Sequence, residues 1–150
     1  MILIKNSQRK VLLNLHKIKQ EIKQILKILV YEDFDIGIWF TSEIMIRKYN
    51  KKYRRLDKAT DVLSFPYHAN LKAGEQIHVF TPDDKNLGDI IISPHVVVKD
   101  AIDADIPFDQ QLQRVLIHAV LHLLGYDHIK DSDYKIMYAK EKKLFEKLNS

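Results

Sequence analysis

Three histidines are the side chains of this chain whose types and spacing best suit a chemical role. His118, His122 and His128 lie within the run LIHAVLHLLGYDH of residues 116–128. On a helix with about 3.6 residues per turn, His118 and His122 share one face, roughly 6 Å apart along the axis. Gly125 can end that helix with a left-handed backbone, and the turn that follows can bring His128 to the same cation.

The three histidines predict a catalytic zinc site with one ion per chain. Three protein ligands and an open fourth position are typical of catalytic rather than structural zinc. A buried helix with histidines at its edge is the alternative, which a lone histidine would favour and three at ligand spacing disfavour. Such an ion lowers the pKa of bound water to about 7 and polarises carbonyl or phosphoryl oxygens, so the ligands alone do not choose the substrate.

The residue after the first histidine separates two classes of hydrolase. Zinc proteases of the HExxH type carry a glutamate there as general base. This chain has Ala119, which can neither take nor give a proton. Phosphodiester cleavage depends more on positioning and on stabilising negative charge, for which an arginine beside the metal is suited. The sequence therefore favours phosphodiester cleavage, with a zinc peptidase or other zinc hydrolase as the alternative.

Two further blocks of sequence accompany the histidine segment. Residues 50–66 read NKKYRRLDKATDVLSFP, and residues 87–93 read LGDIIIS. Together with residues 118–128, and in this order, they resemble the YbeY family of bacterial endoribonucleases that mature ribosomal RNA. The resemblance extends over the whole chain. It departs at Ala59, where relatives commonly carry proline, and at Ala119, where many carry glycine.

The resemblance implies a zinc-dependent endoribonuclease specific for single-stranded RNA. Its expected role is maturation of the 3′ end of small-subunit ribosomal RNA and ribosome quality control, with single-stranded RNA and the small subunit as partners. Arg54 matches the arginine of the family's Tyr-Arg motif and is expected to steady the phosphate, whereas Arg55 matches no family position. The alternative for Arg54 is a surface ion pair with Asp57 or Asp61.

Several other residues near these blocks have two interpretations. Ser64 can bind a phosphate or cap its own backbone, and the second is commoner. Asp127 can hold a ligand histidine or form the turn after the helix. Tyr53, Phe65 and Tyr67 can stack on RNA bases or pack in the core, and core packing is commoner at strand positions.

Composition limits the class of protein. A chain of 150 residues has the size of one domain, expected over residues 1–150. Without cysteine, any metal must rest on His, Asp or Glu. The apolar start is too short for a signal sequence and no run reaches membrane-spanning length, so we expect a cytoplasmic protein without a membrane partner. A net charge of +4 favours a polyanionic partner without establishing one, and the oligomeric state cannot be predicted.

A third class of function is a ribosome-associated binding protein whose metal is structural. The absence of a fourth ligand near the three histidines argues against this class. An acidic residue distant in sequence could supply the fourth ligand and close the site, and the metal would then be structural. A metal-bound structure would distinguish the two, because it shows the coordination number.

Hydrophobic periodicity predicts helices and strands in alternation. Helices are expected over about 11–30, 42–52, 94–103, 108–124 and 131–148, and strands at about 2–4, 35–40, 62–67, 76–80 and 88–92. The first helix should bury Leu12, Ser93 should cap the third, and Asp131 or Ser132 the last. We therefore expect an α+β or three-layer fold with a mixed four- or five-stranded sheet, helical cover, and the three-histidine site at the end of a core helix.

Overall fold

Alternating and continuous apolar runs form four strands, and longer amphipathic runs form five α-helices, in a computed structural model that describes residues 1–150. The strands are β1 (Ile2–Asn6), β2 (Asp35–Phe40), β3 (Val62–Pro66) and β4 (Asn86–Ile92). The helices are α1 (Leu15–Ile28), α2 (Glu43–Arg54), α3 (Pro94–Ala104), α4 (Phe108–Leu123) and α5 (Asp131–Leu148), with a 3-10 turn at Pro82–Asp84. None of the helices combines the length and apolarity that a membrane span requires.

The sheet is mixed and has the order β1-β2-β4-β3. Strands β1, β2 and β4 run parallel, and β3 is antiparallel to β4. The end of β4 is an unbroken apolar run, Ile90 to Ile92, that is buried on both sides of the sheet. The expected α+β class and mixed sheet are confirmed, with four strands.

The two faces of the sheet are covered unequally. A core of 23 buried residues joins one face to α1, α3, α4 and α5. On the other face, Ile46 of α2 packs with Leu63 and Ile91 in a cluster of three. Helix α2 therefore covers only part of this second face of the sheet, and the rest of the face stays open to solvent.

Helix α4 crosses the large core and ends where a glycine is required. Its buried side chains include Leu116, Val120 and Leu123. Gly125 follows the helix with a φ of 91°, and a Cβ at this position would collide with the carbonyl of Leu71. Glycine therefore ends the helix as predicted, because any side chain here would meet both backbone strain and backbone atoms.

The structure differs from the predicted elements at two places. Helix α1 begins at Leu15, because the Asn14 side chain accepts a hydrogen bond from the Lys17 amide at 3.1 Å and caps it there. Leu12 precedes the helix and is 97% exposed, so its predicted burial was wrong. Residues 76–80 form no strand, since the Phe80 amide donates to the Asp84 carboxylate at 2.8 Å instead of to a neighbouring strand.

Two predicted helix caps also differ. Ser93 occupies the N-cap position of α3, but its side chain makes no capping hydrogen bond. Helix α5 has Lys130 at its N-cap position, and Asp131 is already its first helical residue. The prediction of Asp131 or Ser132 as the cap was therefore wrong, and Asp131 instead places its charge in the first turn, where the helix dipole favours it.

Candidate metal centre

The three predicted histidines meet at the C-terminal end of α4. The Nε2 atoms of His118 and His122 are 3.0 Å apart. The turn after Gly125 brings in His128, whose ring centroid lies 5.4 Å from that of His118 and 5.0 Å from that of His122. One ring nitrogen from each histidine lies within 4.8 Å of the other two. The group therefore has the compactness that a single ion requires.

The second ring nitrogens of two of these histidines are held by hydrogen-bond acceptors. His118 Nδ1 lies 3.1 Å from a carboxylate oxygen of Glu141 on α5. His122 Nδ1 lies 2.9 Å from the carbonyl oxygen of Tyr126. Because both partners can only accept, each Nδ1 carries the proton. In this tautomer the lone pair lies on Nε2, the atom that faces the other histidine.

This arrangement fits a metal ion. Two Nε2 lone pairs only 3.0 Å apart repel each other when no proton lies between them. A cation bound by both removes that repulsion, and zinc–imidazole bonds of about 2 Å bring two ligand nitrogens to a comparable separation. His118, His122 and His128 therefore supply a suitable donor set.

The charge state of His122 supports the same conclusion. Burial first of all, together with the neighbouring His118 and His128, lowers the pKa of His122 from 6.5 to about 4. The imidazole is therefore neutral near pH 7. A neutral imidazole is the form that binds metals.

The lowered pKa of His122 predicts an acid-labile metal-free protein. The unfolded chain takes up a proton at this histidine near pH 6.5, and the folded chain only near pH 4. Between these values the unfolded state holds more protons, so the free energy of unfolding should fall as the pH falls. Urea unfolding in the presence of chelator, from pH 7.5 to pH 4, measures this. His122→Gln should flatten the slope, and an unchanged slope in that variant would contradict the assignment.

The metal centre opens into a pocket of about 600 Å³ that also contains Arg54. Arg54 is the last residue of α2, and its exposed side chain takes part in none of the seven ion pairs of the chain. Asp57, one of its expected partners, pairs with Arg47 at 2.9 Å instead. Arg55 is not part of the pocket lining. The structure therefore places Arg54 in the lining of the same pocket as the three histidines and leaves its guanidinium free of ion pairs.

Two other sequence candidates bond to the backbone: Asp127 has the turn role that one interpretation gave it, whereas Ser64 binds a distant segment instead of capping its own backbone. Ser64 Oγ donates to the carbonyl oxygen of Ala119 at 3.2 Å, which ties β3 to the helix that carries the histidines. Asp127 accepts a hydrogen bond from the His128 amide at 2.7 Å and so shapes the turn. Both residues line the pocket, and their hydrogen bonds to the backbone hold its walls in place.

Glu141 is the member of this site that sequence reasoning missed. It lies on α5, in a helix separated from the histidine segment by a turn, so no helical or turn spacing relates it to His118. Its carboxylate reaches the histidine only because α4 and α5 pack together. Glu141 is thus an acidic residue distant in sequence, of the kind that would be needed to close the site as a fourth ligand. Its carboxylate instead bonds to Nδ1 of His118, the ring nitrogen that points away from the other histidines.

The chain and its fold are similar to those of known proteins. The family model described as Endoribonuclease YbeY matches residues 3–149. A protein named Endoribonuclease YbeY from Thermoanaerobacter sp. is 35% identical over 154 residues, spanning 99% of this chain and 97% of its own. The Homo sapiens protein of that name is 33% identical over 147 residues, spanning 98% and 87%. The solution structure of a Thermotoga maritima protein superposes with a TM-score of 0.66 at 31% identity, covering 99% of this chain and 89% of its own.

Proposed function

The chain belongs to the YbeY family, and from this premise we propose that it is a metal-dependent endoribonuclease that cleaves single-stranded RNA. The observation that carries the proposal is the convergence of three histidine nitrogens within 4.8 Å of one another. We further propose maturation of the 3′ end of small-subunit ribosomal RNA and ribosome quality control as its role. Single-stranded RNA and the small subunit would be its partners, and the cytoplasm its location.

We propose zinc as the ion, with one per chain held by His118, His122 and His128. The donor set is all imidazole, which suits zinc among the common divalent ions. When bound, the ion supplies a Lewis acid that polarises a phosphoryl oxygen. Glu141 and the Tyr126 carbonyl keep the Nε2 atoms of His118 and His122 turned toward it.

Arg54 is proposed to bind the phosphate that undergoes cleavage. Its guanidinium stays charged at all relevant pH values and offers a planar pair of N–H donors that matches two phosphate oxygens. Those donors stabilise the negative charge that grows on the phosphate in the transition state. Ala119 has no proton to transfer, so the pocket lacks the general base of the HExxH peptidases.

Glutamine at position 141 should weaken zinc binding while leaving the fold intact. The carboxylate of Glu141 raises the basicity of His118 through the 3.1 Å hydrogen bond, and the neutral amide keeps the shape but loses the charge. Loss of such an outer partner commonly lowers metal affinity by a factor of about 10 to 100. Zinc titration of the metal-free Glu141→Gln protein against a competing chelator measures the change.

Glu146→Gln is the matched control for this titration, because Glu146 is an exposed glutamate on the same helix. Its zinc affinity should equal that of the original protein. Equal affinities in all three proteins would show that Glu141 contributes only to packing. The thermal stability of the metal-free proteins, measured in parallel, reveals any such packing effect.

The proposed function predicts a substrate class. Purified protein should cut unstructured RNA oligonucleotides internally and should not turn over peptides, because Ala119 supplies no general base. RNA and peptide panels, each with and without chelator, test this directly. Chelator should abolish RNA cleavage, and added zinc should restore it. Peptide cleavage with RNA left intact would replace the proposal with a zinc peptidase.

A further inference from the structure

A second concave surface lies on the sheet face that α2 covers only in part. We call it the aromatic groove; it has a volume of about 470 Å³. Its floor is formed by β1, β2 and β4, and four aromatic rings line it: Trp39, Tyr49, Tyr53 and Phe65. The carboxylate of Asp89 also lines it. The groove is thus a mainly apolar surface with one acidic and one basic residue, Asp89 and Lys5.

The four rings form a continuous series. Centroids of Trp39 and Tyr49 are 5.6 Å apart, Tyr49 and Tyr53 are stacked at 6.0 Å, and Tyr53 meets Phe65 edge-on at 5.1 Å. Trp39 is fixed by a hydrogen bond from its Nε1 to Ser7 Oγ at 2.7 Å. Flat aromatic faces held in place at such spacing are suited to stacking with planar ligands.

The aromatic groove adjoins the metal pocket. Tyr53 and Phe65 line both of them. Tyr53 is 53% exposed, so a large part of its ring is available to a ligand and its interpretation as a core residue was wrong. Tyr53 directly precedes Arg54, so a single strand of RNA with a phosphate beside Arg54 has the groove within reach of a neighbouring base.

The charges around the groove favour a nucleotide. The amino groups of Lys5 and Lys52 lie 5.0 Å and 5.2 Å from the ring centroids of Trp39 and Tyr53. They provide positive charge for phosphates beside rings that can stack on bases. A purely apolar occupant would bury Asp89 without a hydrogen-bond donor, which is costly.

Asp89 is the acidic side chain of the groove and has no ionic partner. It is exposed between buried residues of the central strand β4 and takes part in none of the seven ion pairs of the chain. Its carboxylate lies over Gly37, where a Cβ would collide with it. The ionised carboxylate presents two acceptors and no donor.

We propose that the aromatic groove binds a guanine base of the single-stranded RNA substrate, stacked on the rings with its Watson–Crick edge against Asp89. This inference rests on the proposed function and adds a base preference to it. Guanine alone among the four bases offers two adjacent N–H donors, N1 and N2, on that edge. Adenine and cytosine place an acceptor next to one donor, and uracil places its donor between two acceptors, so each would repel the carboxylate.

The single tryptophan of the chain lies in the groove, so its fluorescence reports on binding there. Metal-free protein is titrated with GMP, AMP, CMP and UMP, without any cleavage step. We expect GMP to quench Trp39 at concentrations roughly ten- to a hundredfold lower than the other three, which is the discrimination that a paired hydrogen bond commonly gives.

Two variants test the role of the carboxylate. Asp89→Asn replaces one acceptor with a donor and should remove the preference for GMP while other quenching persists. Gly37→Ala keeps the carboxylate but displaces it, because of the collision with the added Cβ, and should reduce the preference as well. Asp103→Asn alters an exposed aspartate on α3, outside the groove, and should leave the preference unchanged.

Each outcome decides the proposal. Quenching that favours GMP in the original protein and in Asp103→Asn, but not in Asp89→Asn, supports it. Equal quenching by all four nucleotides, or none, overturns it. Fluorescence that changes with protein concentration alone would assign the groove to a second copy of the chain and also overturn it. Because no cleavage is involved, failure here leaves the endonuclease proposal intact, and absence of RNA cleavage leaves this binding result intact.

Discussion

Replacing His122 by alanine is expected to remove both the metal and RNA cleavage. His122 is the central one of the three proposed ligands, since its Nε2 lies 3.0 Å from that of His118 and its ring centroid 5.0 Å from that of His128. Two remaining histidines cannot form a three-ligand zinc site. Elemental analysis should show a fall from about one ion per chain to near zero, and cleavage should fall to background.

His16→Ala is the control for this experiment, because His16 is an exposed histidine at the start of α1, remote from the site. It should keep the metal and full activity. Circular dichroism of the metal-free proteins checks that His122→Ala still folds. A His122→Ala protein that holds a full equivalent of zinc and cleaves RNA would show that the three histidines are not the metal site.

Replacing Arg54 by alanine is expected to slow RNA cleavage by a factor of about 100 to 1,000, the usual cost of removing one transition-state donor. The metal content and the fold should not change, because Arg54 is exposed and makes no ion pair that its loss would break. Arg54→Lys should recover only part of the rate, since lysine keeps the charge but lacks the planar pair of donors. Single-turnover cleavage rates and zinc analysis measure both effects.

The neighbouring Arg55 provides the matched comparison. It is equally exposed but does not line the metal pocket. Arg55→Ala should mainly weaken RNA binding and reduce its dependence on salt, as expected for a nonspecific phosphate contact. Equal and mild defects in the two alanine variants would mean that Arg54 is only one part of a positive surface.

Local patterns were enough to predict that His118, His122 and His128 meet. Helical periodicity placed His118 and His122 on one face, and Gly125 marked the turn that brings in His128, where a Cβ would indeed meet the carbonyl of Leu71. Helix and strand periods likewise predicted four or five helices and a mixed sheet of four or five strands, of which five helices and four strands form. These features depend on residues within a few turns of one another, so backbone geometry relates them directly.

Edges and ends of elements were less predictable. Residues 76–80 have a strand-like composition, but no neighbouring strand pairs with them and the Phe80 amide bonds to Asp84. Leu12 has the periodicity of the first helix, but the side chain of Asn14 starts the helix after it. In both places a polar side chain accepts a hydrogen bond from a backbone amide, and this local interaction outweighs the hydrophobic pattern.

What the sequence by itself determined is the set of candidate reactive groups: three histidines at ligand spacing, an arginine in a recognisable motif, and no general base at Ala119. Only the tertiary structure decided what surrounds them. Packing of α5 on α4 brings the Glu141 carboxylate to His118, and the incomplete cover of the sheet by α2 opens a groove around Asp89. These contacts join segments far apart in the chain, and no local backbone period fixes such distances, because they follow from how the buried faces of helices and sheet fit together.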